Sequence, residues 1–490
     1  MDLGIDIGTS EVKVVLVDDT HGIVGQAHSP VPISRPQALW SEQDPRDWWS
    51  ATVATLAQLR ASCPREYAAI RSLGLSGHMH GATLLDAQDR VLRPAILWND
   101  GRSHRQCTEL EQRAPHSRQI TGNIAMPGFT APKIMWVEEY EPAIFRQLAR
   151  VLLPKDYVRL LLTGEAVSDM SDSAGTLWLD VAQRAWSDEM LAATHLERSH
   201  MPRLVEGSQA GGTLLPSIAA QLGLPAGVVV AGGAGDNAAS AAGIGVAAPG
   251  TAFLSLGTSG VYFVANAAFS PNPQRAVHAF CHAFPNTWHQ MTVMLSAASG
   301  LRWLRTLTHA DSEEQLVAEA QALPAGAKVP LFLPYLSGER TPHNNPHASG
   351  VFFGLTHDHT RSHLARAVLE GVAFAFLDGQ QALLDGGAHI DNVTLVGGGS
   401  RSTVWAQVLA DTLGRTLERR SGADVGAALG AARLGRLARG NEPVASVCTA
   451  PPVTDSFAPD SRQTGLLAER HLQFQRLYAA LKAEMQATAT

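Results

Sequence analysis

The 490-residue chain has only four cysteines, Cys63, Cys107, Cys281 and Cys448, with no C-x-x-C pair among them. That excludes a disulfide framework and a thiolate metal site, and it suits a reducing compartment. An excess of positive charge is also missing. With 38 Lys+Arg against 45 Asp+Glu the net charge is −7, so no nucleic-acid partner is expected. A small phosphorylated ligand stays open, because backbone N–H groups hold phosphate without net positive charge. Long apolar runs are scarce as well. Residues 237–274 carry no Asp, Glu, Lys, Arg or His, but small polar residues dominate them and Pro249-Gly250 breaks them. A membrane span needs about 20 strongly apolar residues in a row, so no membrane contact is expected. The N-terminus lacks the basic start and apolar core of a signal peptide, and a cytoplasmic location is the expectation.

What is present is an ordinary globular balance, 45% hydrophobic and 17% charged, in a chain too long for one core. Strand and helix patterns alternate. "LGIDIG" puts Leu3, Ile5 and Ile7 on one face and Gly4 and Asp6 on the other. Asp44 before Pro45 marks a helix start. "ATLLDAQDRVLRPAILW" reads as a hairpin. Most telling is a repeat: "DLGIDIGTSEVKVVLVD" (2–18) and "GTAFLSLGTSGVYFVAN" (250–266) are each strand, Gly-Thr-Ser, strand. A duplicated hairpin within alternating strands and helices implies two α/β lobes, with a boundary in 245–250.

Each Gly-Thr-Ser turn offers consecutive N–H groups and hydroxyls to an anion. One copy alone is an ordinary β-turn; two copies suggest lobes presenting Gly8, Thr9 and Ser10, and Gly257 and Thr258, to a single nucleotide. Lys13 could add charge near the phosphates, and Asp6, where the second copy has Ser255, could hold a water of a Mg²⁺ shell. "VVVAGGAGDNAASAAG" (228–243) is a strand, a glycine turn and a small-residue helix opened by Asp236-Asn237. The pair could simply cap the helix; aimed into a cleft, Asp236 could accept the proton of an attacking hydroxyl, at an ordinary carboxylate pKa near 4. His78 and His80 stand at strand spacing, but no further ligands complete a zinc site. A sugar pocket fits better, with Met79 on a carbon face, His80 on a hydroxyl, Trp98 as a wall, and Asn99, Asp100 or Arg102 as polar groups. "VTLVGGGSRSTVW" (393–405) could lay a ribose or flat ring on Gly398 and Gly399 at a helix start near Thr403.

In order, Asp6 with "GTS", "GFTAPKIMWVEE" (128–139), "GDNA", "LSLGTSG", "FLPYLSGERTP" (332–342), "LARAVLEGVAFAFLDG" and "VGGGS" resemble the FGGY carbohydrate kinase family over nearly the whole chain. "GHMHGATLLD", "LLPKDYVRLLLTGE" and "SDMSDSAGT" resemble its xylulose-phosphorylating branch. The resemblance implies an α/β fold of two duplicated ribonuclease H-like (actin/hexokinase-type) lobes flanking a central cleft. Residues 1–246 would be the N-terminal lobe, with the sugar site and catalytic Asp, and 247–490 the C-terminal, nucleotide-binding lobe. It implies ATP- and Mg²⁺-dependent phosphorylation of D-xylulose at O5. Asp236 would be the base, and Met79, His80, Trp98, Asp100 and Asn237 would lie around the sugar. Gly8, Thr9, Ser10, Lys13, Gly257, Thr258, Gly398, Gly399 and Thr403 would lie around ATP, with Asp6 near the metal. The partners implied are the sugar and ATP, and the oligomeric state stays open, a homodimer among the options. Another sugar kinase of the family, an actin-like ATPase without a sugar, and a silent sugar sensor are the rival readings.

Overall fold

The computed structural model describes residues 1–324, 326–422, 426–440 and 442–487. The first sheet contains β1 (Asp2–Ile7), β2 (Glu11–Val17), β3 (Ile23–Pro30), β4 (Ser72–Gly77), β5 (Ala210–Thr213), β6 (Val229–Ala231) and the short β7 (Ala234–Gly235). The second contains β8 (Thr251–Leu256), β9 (Gly260–Asn266), β10 (His278–Cys281), β11 (Trp288–Met294), β12 (Asn392–Val396), β13 (Leu417–Arg420) and β14 (Val453–Phe457). Their orders are β3-β2-β1-β4-β6-β5 and β10-β11-β9-β8-β12-β13-β14, with β7 also paired to β4.

The repeat extends well beyond the hairpins. In both sheets the hairpin's first strand pairs antiparallel with its second and parallel with the next strand inward, β4 or β12. A further parallel strand and then an antiparallel edge follow in each. This is the two-lobed, duplicated α/β architecture.

The helices that bear on the site are α1 (Pro45–Ser62), α2 (Thr130–Tyr140), α3 (Pro154–Thr163), α4 (Asp236–Gly243), α5 (Ala298–Thr308), α6 (Glu313–Gln321), α7 (Arg361–Asp385), α8 (Thr403–Leu413), α9 (Gly426–Leu437) and α10 (Ser461–Ala487). Asp44 caps α1 by accepting the N–H of Arg46, and Pro45 takes the position that needs no donor. Leu3, Ile5 and Ile7 share a core with Trp48, Leu56 and Leu59 of α1. Each such burial is worth about 1.5–3 kcal/mol.

The opposite face carries Gly4, where a Cβ would lie 1.9 Å from the Ala428 carbonyl oxygen, so α9 rests directly on the first sheet. A Cβ on Gly430 would lie 1.8 Å from the Ala239 carbonyl oxygen, so α9 also crosses α4 backbone to backbone. Residues from late in the chain thus lie across the first sheet and α4, joining the halves.

The charge-free stretch 237–274 forms most of α4, a connection and the second hairpin. Among the described residues one helix, α7, is long and apolar enough to cross a membrane; 83% of its apolar window is buried inside the protein. The hairpin read in 82–98 is reduced to two isolated bridges, Ala82–Ile96 and Leu85–Val91. Its arms pair elsewhere, Thr83–Leu85 with Arg150–Leu152 and Ala95–Ile96 with Glu42–Gln43. Pro94, which has no N–H, interrupts the second arm.

Candidate active site

β1 and β7 flank β4, with Asp6 and Ala234 both opposite Ser76. Asp6 and Asp236 therefore rise from strand ends two spacings apart, roughly 10 Å between strands. Asp6 lies opposite Lys13 on β2, on the face that Gly4 shares. Burial pushes its carboxyl up, while the Ser76 hydroxyl and the Lys13 charge favour ionisation. Its Oδ1 is buried without a hydrogen-bond partner among the described residues.

Asp236 opens α4 half-buried, its Oδ1 accepting the Asn237 backbone N–H at 2.7 Å and side-chain Nδ2 at 3.0 Å. Burial and then the Asp6 charge raise its pKa to about 7, far from the ordinary carboxylate value expected from the sequence. The N–H of Gly235, one residue earlier, donates to Ser171 Oγ at 3.2 Å.

The residues that follow β4 lie beside Asp236. Met79 packs against Gly235, where a Cβ would lie 2.9 Å from Met79 Cγ. His80 adopts a left-handed backbone, φ 71°, a strain of order 1–3 kcal/mol. Three bonds offset that strain: Lys133 Nζ and Thr130 Oγ1 donate to the His80 carbonyl at 2.8 and 3.2 Å, and His80 Nδ1 meets the Gly175 carbonyl at 2.6 Å. A carbonyl only accepts, so Nδ1 carries the proton and Nε2 presents a lone pair. Burial and then the Lys133 charge lower the ring's pKa to about 3, keeping it neutral.

His78 lies edge-on to Trp48 at 5.5 Å, and no metal-holding group of three His, Cys, Asp or Glu exists among the described residues. Trp98 is 44% exposed, and its Nε1 donates to Thr9 Oγ1 at 3.0 Å, tying the segment around Trp98 to the first turn. Asp100 is buried, with both oxygens engaged by Arg102 and one also accepting the Ser41 N–H at 2.6 Å. Lys13 pairs with Glu11 at 3.4 Å.

In the second half of the chain, a cavity of about 670 Å³ brings Gly257 and Thr258 together with Gly398, Gly399 and Thr403, joined by Arg302, Arg401 and Glu314. It is of a size to take a nucleotide. Parallel pairing of β8 with β12 puts the glycine turn after Val396 beside the hairpin turn. A larger groove of about 810 Å³ adjoins it at Thr403 and Val404, but none of its lining belongs to either hairpin.

The model of the FGGY family of carbohydrate kinases, N-terminal domain, matches residues 1–243, and that of the C-terminal domain matches 252–439. The chain is 53% identical to the xylulose kinase of Escherichia coli (strain K12), covering 98% of this chain and 99% of that protein. It belongs to the FGGY family of carbohydrate kinases. A xylulose kinase of Bacillus subtilis is 37% identical, over 88% of this chain and 87% of its own. Among solved structures, a "xyloylose kinase" from Brucella ovis is 52% identical with a TM-score of 0.95, covering 98% of this chain and 99% of that one. A xylulose kinase from Rhodospirillum rubrum is 32% identical, TM-score 0.93, with 99% of each chain covered.

This FGGY kinase also uses residues that reading the sequence left unassigned. Lys133, within "GFTAPKIMWVEE", fixes His80, and Ser171, within "SDMSDSAGT", fixes Gly235. Beneath them Lys155, fully buried, pairs with Asp156, Asp169 and Asp172. The signal available was their place in family-like motifs; what they touch is remote in sequence.

Proposed function

We propose that this kinase transfers the γ-phosphoryl group of ATP to O5 of D-xylulose, giving D-xylulose 5-phosphate in xylose breakdown, with Asp236 as general base. What supports the base assignment is the place of Asp236, opening α4 at the end of β7 beside Met79, where burial and the Asp6 charge hold its pKa up to about 7. A base works best when its pKa lies near the operating pH. The choice of sugar rests on the likeness to xylulose kinases over nearly the full chain. Met79 and the Nε2 lone pair of His80 would hold the sugar body, with Trp98 as an outer wall and Asn237 beside the base. Asp100, its oxygens spent, would act by holding Arg102 and the 41–43 segment in place.

The Gly8-Thr9-Ser10 turn and the cavity around Thr258 and Gly398 would hold ATP, and closure would align the attacking oxygen with the phosphoryl group. The residues fit Mg²⁺: among the described residues Asp6 Oδ1 is a buried acceptor without a partner. Asp6 would hold it, through water, and the bound ion would neutralise phosphate charge. Lys13, tied to Glu11, would add a weaker field.

ADP release measured with D-xylulose, D-ribulose, gluconate and glycerol tests the sugar, and NMR of the product tests O5. D-Xylulose is expected to be fastest; a faster rival would replace it. Asp236→Ala is expected to lose about 10²–10⁴-fold in turnover while still binding nucleotide. Near-normal turnover in that variant removes the base assignment.

A further inference from the structure

One motif remains without a role: "FLPYLSGERTP" (332–342). Its backbone is clamped to the end of β11. The Glu339 carboxylate accepts the N–H groups of Leu295 and Arg340 at 3.0 and 2.7 Å. Thr341 donates its N–H to the Val293 carbonyl and accepts the Val293 N–H on its hydroxyl, both at 3.1 Å. Arg340, held between these anchors, is half-buried.

Arg93 and Arg102 face Glu42 and Arg184 faces Glu206, whereas buried Arg433 donates to the Ala242 carbonyl. Arg340 has no ion pair among the described residues; its Nη1 lies 3.4 Å from His278 Nε2. His278 directs its other nitrogen at Asn123 Oδ1, 3.0 Å away, and burial, then the Arg340 charge, hold the ring well below its usual pKa. The neutral ring thus offers Arg340 a single lone pair, leaving most of the guanidinium donors for something else.

The place where those donors lie is specific. His278 is 5.5 Å from the ring of Phe129, which is 4.8 Å from the ring of His80. Phe280 completes this aromatic wall, stacked on His278 at 5.6 Å and 6.5 Å from His80. Through these rings the guanidinium lies near His80, and its charge is felt by the His80 ring. It also points away from the second phosphate turn. Met294 pairs with Gly260 beside that turn, whereas His278 pairs with Met291, three residues back along β11, about 10 Å.

We propose that Arg340 is a sugar-binding residue contributed by the second lobe, donating to the C1 hydroxyl and C2 carbonyl oxygens of the ketose while the far end of the sugar meets Asp236. This deepens the D-xylulose reading and rests on it. The sugar would then be held by both lobes at once, and a substrate lacking oxygen at C1 would grip the second lobe less.

The test compares D-xylulose with 1-deoxy-D-xylulose in the wild type, Arg340→Ala and Arg340→Lys. The wild type is expected to favour D-xylulose in kcat/KM by about tenfold or more, the range of a hydrogen bond to a charged group. Arg340→Ala should raise the KM for D-xylulose and shrink the preference to within about threefold, leaving the KM for ATP unchanged; Arg340→Lys should fall between. A preference that survives in Arg340→Ala, equal losses on both ketoses, or a matching rise in the KM for ATP would each overturn the proposal. If Arg340→Ala does not fold, Arg340→Lys decides by the same preference. A wild type that distinguishes the two ketoses by less than twofold also overturns it, without touching the xylulose reading; a wild type inert toward both removes that reading first.

Discussion

The two hairpins share sequence and strand order, but their registers differ by one residue, Ile7 facing Val12 where Leu256 faces Gly260, and they are held in opposite ways. In the first, side chains reach in from elsewhere: Gln43 Nε2 donates to the Thr9 carbonyl at 2.6 Å and Trp98 Nε1 to its hydroxyl. In the second, a helix start does the holding. The N–H groups of Ala297 and Ala298 donate to the carbonyls of Thr258 and Gly257 at 3.0 and 2.9 Å. The free amides at the start of α5 are spent on the turn, so that helix end is a brace and not itself an anion site. The first turn also stands beside a lone acid, Asp6, where the second has Ser255. One copy is thus specialised for charge, the other for rigidity, and a repeat in sequence need not mean a repeat in chemistry.

Making the copies alike is the harshest way to break this contrast. Asp6→Ser gives the first hairpin the second's residue and is expected to lower turnover about 10²-fold with a weaker response to Mg²⁺, whereas Ser255→Ala should change it little. Steady-state kinetics over a Mg²⁺ series checks both. An unchanged Mg²⁺ response in Asp6→Ser takes Asp6 out of the metal's surroundings.

A smaller effect sharpens the electrostatic half of the comparison. The pKa of Asp236 is raised to about 7 by burial and then by Asp6. Its carboxylate is therefore mostly ionised only above about pH 7 in the free protein, and it takes up a proton as pH falls through that value. Asp6→Asn removes the repelling charge and keeps the burial, so the titration should move down, on the order of one unit, and stop short of the ordinary carboxylate range. Carbon-13 NMR of labelled aspartates in the free protein reads it directly. No movement would mean that burial alone sets the value.

How much of this was legible follows from the range of the interactions. The doubled hairpin, the face of Asp6 and the opening of α4 at Asp236 are local patterns, and alternation and turn chemistry carry them. The junction between the lobes is not local. Gly4 reads as one small residue in a strand until Ala428, from the far end of the chain, lies on it. Asp100 has the look of a site acid in "LWNDGR", but Arg102 and the Ser41 N–H take its oxygens, and the second partner is 59 positions away. Lys133 looks like a surface cation in a helix, and only the fold shows that it is wholly buried beneath His80. Periodicity assigns faces; it does not say which distant backbone group a side chain will meet.

Trp98 offers the finest test, because it stands where two roles overlap. As a sugar wall it needs its ring, and as a brace for the first turn it needs its N–H. Trp98→Phe separates them by keeping an aromatic face and deleting the bond to Thr9 Oγ1. One neutral hydrogen bond is worth about 0.5–1.5 kcal/mol, so a loss of about two- to tenfold is expected. If the brace matters, the loss falls on kcat and the KM for ATP, with the KM for the sugar unmoved. Trp98→Ala should then add a rise in the sugar's KM. A Phe variant that raises only the sugar's KM would make the tryptophan part of the pocket alone, and the first turn would rest on Gln43.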